Sequence, residues 1–122
     1  FDMARDPFEA LDALLDLGVD RLLTSGQEET ALEGADLIAE LVRRAGDALV
    51  VMPGGGVTAR NVGRLLRATG AREVHVHAAS WRDGPMRYRN AHCFMGGALR
   101  PPEFARAVTT PEDVRAVRGA IG

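Results

Sequence analysis

The sequence predicts part of a parallel α/β barrel, in which strands and helices alternate along the chain. Helix and strand patterns alternate three times, at the spacing that right-handed β–α–β crossovers need. One predicted strand, residues 48–52, is apolar throughout, which is typical of a strand buried on both faces of a parallel sheet. An open three-stranded sheet would leave unpaired edges that a closed barrel removes. We therefore expect the missing strands to precede Phe1 or to come from another chain.

The first predicted helix carries signals at both ends. Asp6 can cap it, Pro7 suits its first position and Glu9 its third, and Gly18 supplies a left-handed stop. Its apolar face consists of Phe8, Leu11, Leu14 and Leu15. Residues 19–24 then predict a short strand.

The second unit repeats this order. A capping box of Thr30 and Glu33 predicts the start of a helix, and Gly46 predicts its end. Its buried stripe consists of Leu37, Ile38, Leu41, Val42 and Ala45. The strand of residues 48–52 follows, and Pro53 and three glycines come directly after it.

The third unit has a helix from Thr58 to Gly70 and a strand over 73–78, which alternates with a period of two. The helix face consists of Val62, Leu65, Leu66 and Thr69. Residues 81–108 predict a long connection, which in α/β domains is usually functional or disordered. A last helix opens at Thr110, and its stripe consists of Val114, Val117 and Ile121.

Composition excludes several classes of partner. The 122 residues carry a formal net charge of −2, which argues against nucleic acid, because nucleic-acid-binding domains usually have a basic surface. No apolar run approaches the roughly 20 residues of a membrane-spanning helix. Cys93 is the single cysteine and cannot form an internal disulfide, so a reducing cytoplasm is the expected location.

The candidate ligand site lies at the carboxyl ends of the strands, which is the active face of such barrels. The residues expected there are Asp2, Thr24, Ser25, Gly26, Gly54, Gly55, Gly56, His77 and Ser80. The triple glycine either offers backbone amides to a phosphate or another anion, or forms a tight turn that binds nothing. The hydroxyls of Thr24 and Ser25 either bond a ligand or cap their own turn.

Histidine and sulfur side chains give a possible metal site. His75 and His77 lie two apart on one strand, so they face the same side, and imidazole nitrogens suit copper. The alternative is a polar pair that is hydrogen-bonded inside the barrel. Cys93 and Met95 are soft ligands that suit copper(I), although a packed segment would use the same sulfurs in a core.

Several motifs together resemble the CutC copper homeostasis family. They are Phe1-Asp2-Met3 with Asp6-Pro7, Leu23-Thr24-Ser25-Gly26, Ala31-Leu32-Glu33-Gly34, Val51-Met52-Pro53-Gly54-Gly55-Gly56 with Asn61, Glu73-Val74-His75 and Met86-Arg87-Tyr88-Arg89-Asn90. They follow the family's order and spacing over nearly the whole chain.

The resemblance implies that residues 1–122 are the C-terminal part of one (β/α)8 TIM barrel. It also implies a cytoplasmic, copper-binding, homo-oligomeric protein without a firmly assigned reaction. Asp2, Ser25, the glycines 54–56 and His75 match motif positions at the family's barrel mouth and interior. His77 departs from the pattern, since the family usually has a small residue there. A different interpretation is an enzyme that acts on a small phosphorylated or anionic metabolite at the glycine turn.

Overall fold

A computed structural model describes residues 1–77, 79–93 and 103–121. Within these ranges, four helices and four short strands follow one another. They are α1 (Pro7–Asp16), β1 (Arg21–Thr24), α2 (Ala35–Ala45), β2 (Val50–Pro53), α3 (Val62–Thr69), β3 (Ser80–Asp83), β4 (Ala105–Val108) and α4 (Pro111–Ile121). The predicted order of the first three units is confirmed as far as β2 and α3.

The two strands β1 and β2 pair in parallel, as the βαβ pattern predicts. Their register places Arg21 beside Val50 and Thr24 beside Pro53. The described strands do not show a barrel: β1 and β2 form a two-stranded sheet, so barrel closure stays a prediction.

The segment 73–77 lies beside β2 but is not a regular strand, which corrects the predicted strand over 73–78. The N–H of His75 donates to the carbonyl oxygen of Pro53 over 2.9 Å. Pro53 has no N–H to return a bond, and proline in this position removes a rung of the ladder. An ion pair adds a second attachment, because Arg21 Nε lies 2.8 Å from Glu73 Oε2. Position 78 lies outside the described residues.

Capping groups set the helix ends largely as expected. The carboxylate of Asp6 accepts hydrogen bonds from the amides of Phe8 and Glu9, and α1 ends at Asp16, followed by the C-cap Leu17 and by Gly18 with φ +68°. There the amide of Gly18 donates to Leu15 O and the amide of Val19 to Leu14 O, which is the Schellman pattern.

Two helices begin later than their sequence signals suggest. The Thr30–Glu33 box forms, with the Thr30 N–H donating to Glu33 Oε2 over 3.1 Å, but it closes a turn, and α2 starts at Ala35. Thr58 likewise opens a turn, and α3 starts at Val62.

The core lies between the helices and the parallel strands. Its largest fully buried side chains include Leu11, Ile38, Leu41, Val62 and Leu65. The expected stripes of α2 and α3 are therefore confirmed in their main members. The predicted buried stripe of α4 is only partly confirmed: Val117 is buried, but Val114 and Ile121 are each 45% exposed.

The expected long connection between residues 81 and 108 contains an antiparallel hairpin that the sequence analysis missed. Ser80 pairs with Val108 and Arg82 with Arg106. The hairpin is fixed to α4, because the Ser80 hydroxyl donates to Asp113 Oδ1 over 2.7 Å. Residues 94–102, with the predicted sulfur ligand Met95, lie outside the described residues.

Candidate functional site

Two loops meet at the carboxyl ends of β1 and β2, where the ligand site was expected. The first follows Thr24 and the second begins at Gly54. The amide of Ala31 donates to Gly55 O over 3.0 Å and ties the loops together. This rim, formed by residues 24–31 and 54–58 with His75 beside them, is the candidate site.

Asp2 holds the first loop in place. Its carboxylate accepts from the Thr24 hydroxyl, from the Ser25 amide over 3.0 Å and from the Gln27 amide over 3.1 Å. Burial opposes the charge, but these hydrogen bonds together hold the pKa of Asp2 below its usual value. Both carboxylate oxygens are thus engaged by the protein, and ligand binding by Asp2 stays a prediction.

The hydroxyls of Thr24 and Ser25 form hydrogen bonds with the protein itself. Thr24 is 1% exposed, donates to Asp2 and accepts from the amide of Gly26 over 2.9 Å. Ser25 Oγ donates to Glu28 O over 2.7 Å. This is the capping geometry that the sequence analysis weighed against ligand contact, and a role for Thr24, Ser25 or Gly26 in binding stays untested.

The three consecutive glycines differ in exposure: the first is buried and the other two are exposed. Gly54 is buried and its amide donates to Thr24 O over 2.9 Å. Gly55 and Gly56 are exposed, with φ +109° and +65°, a region that strongly favours glycine. In the described part of the chain, no hydrogen bond uses the N–H of Gly55 or Gly56. These two amides are the donors that remain for an anion.

The two histidines lie on the exposed side of the segment 73–77. Val74 and Val76 pack against the core, and His75 and His77 are exposed, so the predicted separation of faces is confirmed. His75 lies against Gly54: a Cβ built on that glycine would be 3.4 Å from His75 Nδ1. A Cβ at position 54 would conflict first with Leu23 Cδ1, at 2.5 Å, and would lie at ordinary contact distance from the imidazole.

His77 and Cys93 line separate cavities. One, of about 210 Å³, includes Thr58, His77 and Asp113 among apolar side chains. The other includes Cys93 and Tyr88, near the hairpin. Within the described residues, no group of three or more His, Cys, Asp or Glu could hold a metal ion. The predicted ligands His75, His77 and Cys93 are therefore not brought together as one cluster there.

Sequence reasoning missed several groups that shape the rim. Gly26 and Gly34 approach so closely that a Cβ on either would overlap with the other's backbone. Gln27 has φ +62° and its Nε2 donates to Ala4 O over 2.6 Å. Gly34 belongs to the motif Ala31-Leu32-Glu33-Gly34, but the local sequence does not show that its backbone will lie against that of Gly26.

The fold is that of an α/β protein with parallel β–α units, and two loops form a rim at the carboxyl ends of its strands β1 and β2. The sequence profile of the CutC family matches residues 1–80, and the chain belongs to this family. In the described residues, no helix is long and apolar enough to span a membrane.

Relatives support this membership over nearly the whole chain. A human protein named copper homeostasis protein cutC homolog is 48% identical over 115 residues, which are 94% of this chain and 42% of the human protein. A CutC family protein from Parabacteroides distasonis is 47% identical over 95% of this chain and 48% of its own length. The chain thus spans less than half of the length of these relatives.

A solved structure supports the α/β fold. The crystal structure of a CutC protein from Streptococcus agalactiae matches with a TM-score of 0.51 and 35% sequence identity. The match covers 55% of this chain and 33% of that chain.

Proposed function

We propose that this chain acts in copper homeostasis and binds copper as cargo through His75 and His77. The relatives named for copper homeostasis support the role. The observation that carries the site is the exposed imidazole pair on one face of the segment 73–77. Imidazole nitrogens are suitable copper ligands.

The two histidines differ in how firmly they are held. The backbone of His75 is held by the bond from its amide to Pro53 O, and its side chain lies near Gly54. His77 faces the cavity shared with Thr58 and Asp113. Two protein ligands leave coordination positions open, which suits an ion that is passed on rather than kept.

Copper(I) titration against a chromophoric chelator tests this proposal. A Cys93→Ser background removes the thiol as a competing ligand. In that background we expect His75→Ala and His77→Ala each to lose copper(I) binding, and His92→Ala, the matched control, to keep it. Equal affinity in all variants, or no affinity in the parent, would reject the histidine site.

The copper proposal also concerns the fold that surrounds this site and its location in the cell. We infer that residues 1–122 form the C-terminal part of a (β/α)8 barrel in the cytoplasm. The parallel β1–β2 pair, the share of the relatives' length that the chain covers and the single cysteine support it. The crystal structure of the whole protein would test the barrel, and cell fractionation would test the location.

A second candidate function rests on the free amides of Gly55 and Gly56. Two exposed N–H groups beside an imidazole form a site for a small phosphorylated or carboxylated metabolite. The start of α3 is six residues beyond Gly56, so the helix dipole adds less than the sequence suggested. The backbone donors therefore carry this alternative.

Thermal unfolding at constant ionic strength separates the two candidates. Inorganic phosphate should raise the melting temperature above that in chloride, and His75→Ala should reduce the gain while His77→Ala should not. The copper site needs both histidines. Stabilisation that is the same in both anions would remove the metabolite hypothesis and leave the copper proposal unaffected.

A further inference from the structure

Helix α3 lies in a segment whose only charged side chains are positive. Residues 48–72 contain four arginines and no aspartate or glutamate. The arginine at the end of this segment is paired with Asp47, at 2.9 Å. The other three, Arg60, Arg64 and Arg67, are exposed, and none of them forms an ion pair with any residue that the structure describes.

These three arginines form one stripe along α3, here called the arginine stripe. Steps of four and three residues place side chains on the same face of a helix. The turn before α3 continues this geometry back to Arg60, because the amide of Val62 donates to Thr58 O over 3.0 Å, as in a helix. Val62 and Leu65, on the opposite face, are buried in the core. The arginine stripe therefore faces away from the core.

Two further features concentrate positive charge at the N-terminal half of α3. Arg67 folds back toward Gly63, since a Cβ built on that glycine would be 3.3 Å from Arg67 Nη1. The first turn of α3 has no acidic residue, although the N-terminus of a helix is the positive end of its dipole and favours carboxylates. Like charges three and four residues apart also repel each other. An anion bound on the stripe would relieve both repulsions.

The side chains around the arginine stripe indicate which class of anionic partner it suits. Among the described residues, no large apolar side chain is exposed between residues 54 and 72. Helices that bind a membrane surface have apolar side chains beside their charges, and surfaces for single-stranded nucleic acid have aromatic rings on which bases stack. The stripe offers charge and hydrogen-bond donors only, which suits a hydrophilic chain that carries carboxylates.

We propose that the arginine stripe is a docking surface for an acidic segment of a partner protein. A rise of about 1.5 Å per residue spaces the three arginines by about 6 Å and about 4.5 Å along the helix axis. Alternate residues of an extended segment are about 6.6 Å apart, so carboxylates at every second position reach neighbouring guanidinium groups. A guanidinium group can bind a carboxylate through two parallel hydrogen bonds, which adds geometric selectivity to the charge.

The stripe begins beside the rim at the strand ends. Asn61, next to the first arginine of the stripe, is tied to the glycine turn, because its Nδ2 donates to Gly56 O over 2.9 Å. A bound acidic segment would therefore run from the edge of the rim along the outer face of α3. It would use neither His75 nor His77, so this inference does not depend on the copper proposal.

Fluorescence anisotropy with a labelled peptide of alternating glutamate and serine tests the proposal. The peptide should bind at low salt, and a peptide of alternating glutamine and serine should not. Screening lengths fall from about 30 Å at 0.01 M to about 3 Å at 1 M salt, so the affinity should fall at least about tenfold over this range. No binding of the acidic peptide at low salt, or equal binding of the neutral one, would overturn the proposal.

Charge reversal locates the surface. Arg60→Glu with Arg64→Glu should weaken peptide binding about tenfold or more. Arg82→Glu with Arg106→Glu, a matched change of two exposed arginines on the hairpin β3–β4, should leave the affinity within about twofold of the parent. Equal losses in the two variants would show that only the total charge matters and would reject the stripe.

Two further measurements guard this result. Circular dichroism checks that the variants fold, and Arg60→Gln with Arg64→Gln, which removes charge without adding any, should give a smaller loss in the same direction. Vesicles that contain anionic phospholipid are the competing partner. Vesicle binding that exceeds peptide binding and is lost with the same two arginines would assign the stripe to a membrane surface and reject an acidic protein segment.

Discussion

Replacing Thr24 with valine isolates the hydroxyl that holds the rim together. This hydroxyl donates to the carboxylate of Asp2 and accepts the amide of Gly26, and it is 1% exposed. Valine has nearly the same shape but lacks the oxygen, so the packing is kept while both bonds are lost. The variant therefore leaves a carboxylate and a buried amide without this partner.

The expected loss of stability follows from these two bonds. A hydrogen bond to a charged group is worth about 1.5–3 kcal/mol, and a buried amide left unsatisfied costs about 1 kcal/mol or more. We therefore expect Thr24→Val to lower the free energy of unfolding by about 3 kcal/mol. With a urea dependence of about 2 kcal/mol per M, the midpoint should fall by about 1.5 M. Exposed Thr109→Val is the matched control and should change little.

Acid provides an independent check on the same contact. The pKa of Asp2 is lower in the folded protein than its ordinary value of 3.8, so its contribution to stability is present above that pH and is lost as the pH falls through the lowered pKa. The difference between parent and Thr24→Val should therefore shrink as Asp2 becomes protonated. A variant as stable as the parent at neutral pH, or a difference that persists unchanged in acid, would refute the role given to this hydroxyl.

Further predictions concern backbone spacing, capping and charge. Gly34→Ala should destabilise by about 1–3 kcal/mol because its Cβ would overlap with Ser25 O, whereas Gly119→Ala, with open space around it, should be neutral or stabilising in urea denaturation. Asp6→Ala should cost about 0.5–2 kcal/mol and Asp6→Asn should recover most of it, and equal losses would exclude capping. The hydrogen bonds from two arginines lower the pKa of Glu40 from 4.5 to about 2, so its contribution is present above pH 4.5 and declines as pH falls toward 2. Glu40→Gln should remove that part of the pH dependence of the urea midpoint, and an unchanged profile would show that the pair is not coupled to folding.

The local signals of helices and buried strands were readable from the sequence because they act over a few residues. Asp6 and Gly18 mark the ends of α1 through bonds to their own neighbours. The position of Thr30 shows the limit: its capping box forms, yet α2 begins at Ala35. A capping box can bond the backbone N–H groups of a turn as well as those of a helix, and the sequence pattern does not distinguish the two.

Contacts between residues that are far apart in the sequence could not be predicted from local patterns. The hairpin β3–β4 joins strands that are about twenty residues apart in sequence, and neither strand has an apolar alternation that predicts it. At the rim, the sequence located the residues but not their partners: Asp2 meets Thr24 and Ser25 across more than twenty residues. Such pairings depend on the register of strands and loops in space, which short-range patterns do not contain.

The end of the hydrogen-bonded ladder beside β2 has a consequence for the copper proposal. Pro53 O accepts the amide of His75, and within the described residues no further backbone bond continues this ladder toward His77. Copper bound as proposed would therefore join one position attached to the parallel sheet to another beyond the last bond to it, with only Val76, packed on the core, between them. The spacing of the two imidazoles would then depend on the packing of Val76 rather than on the sheet.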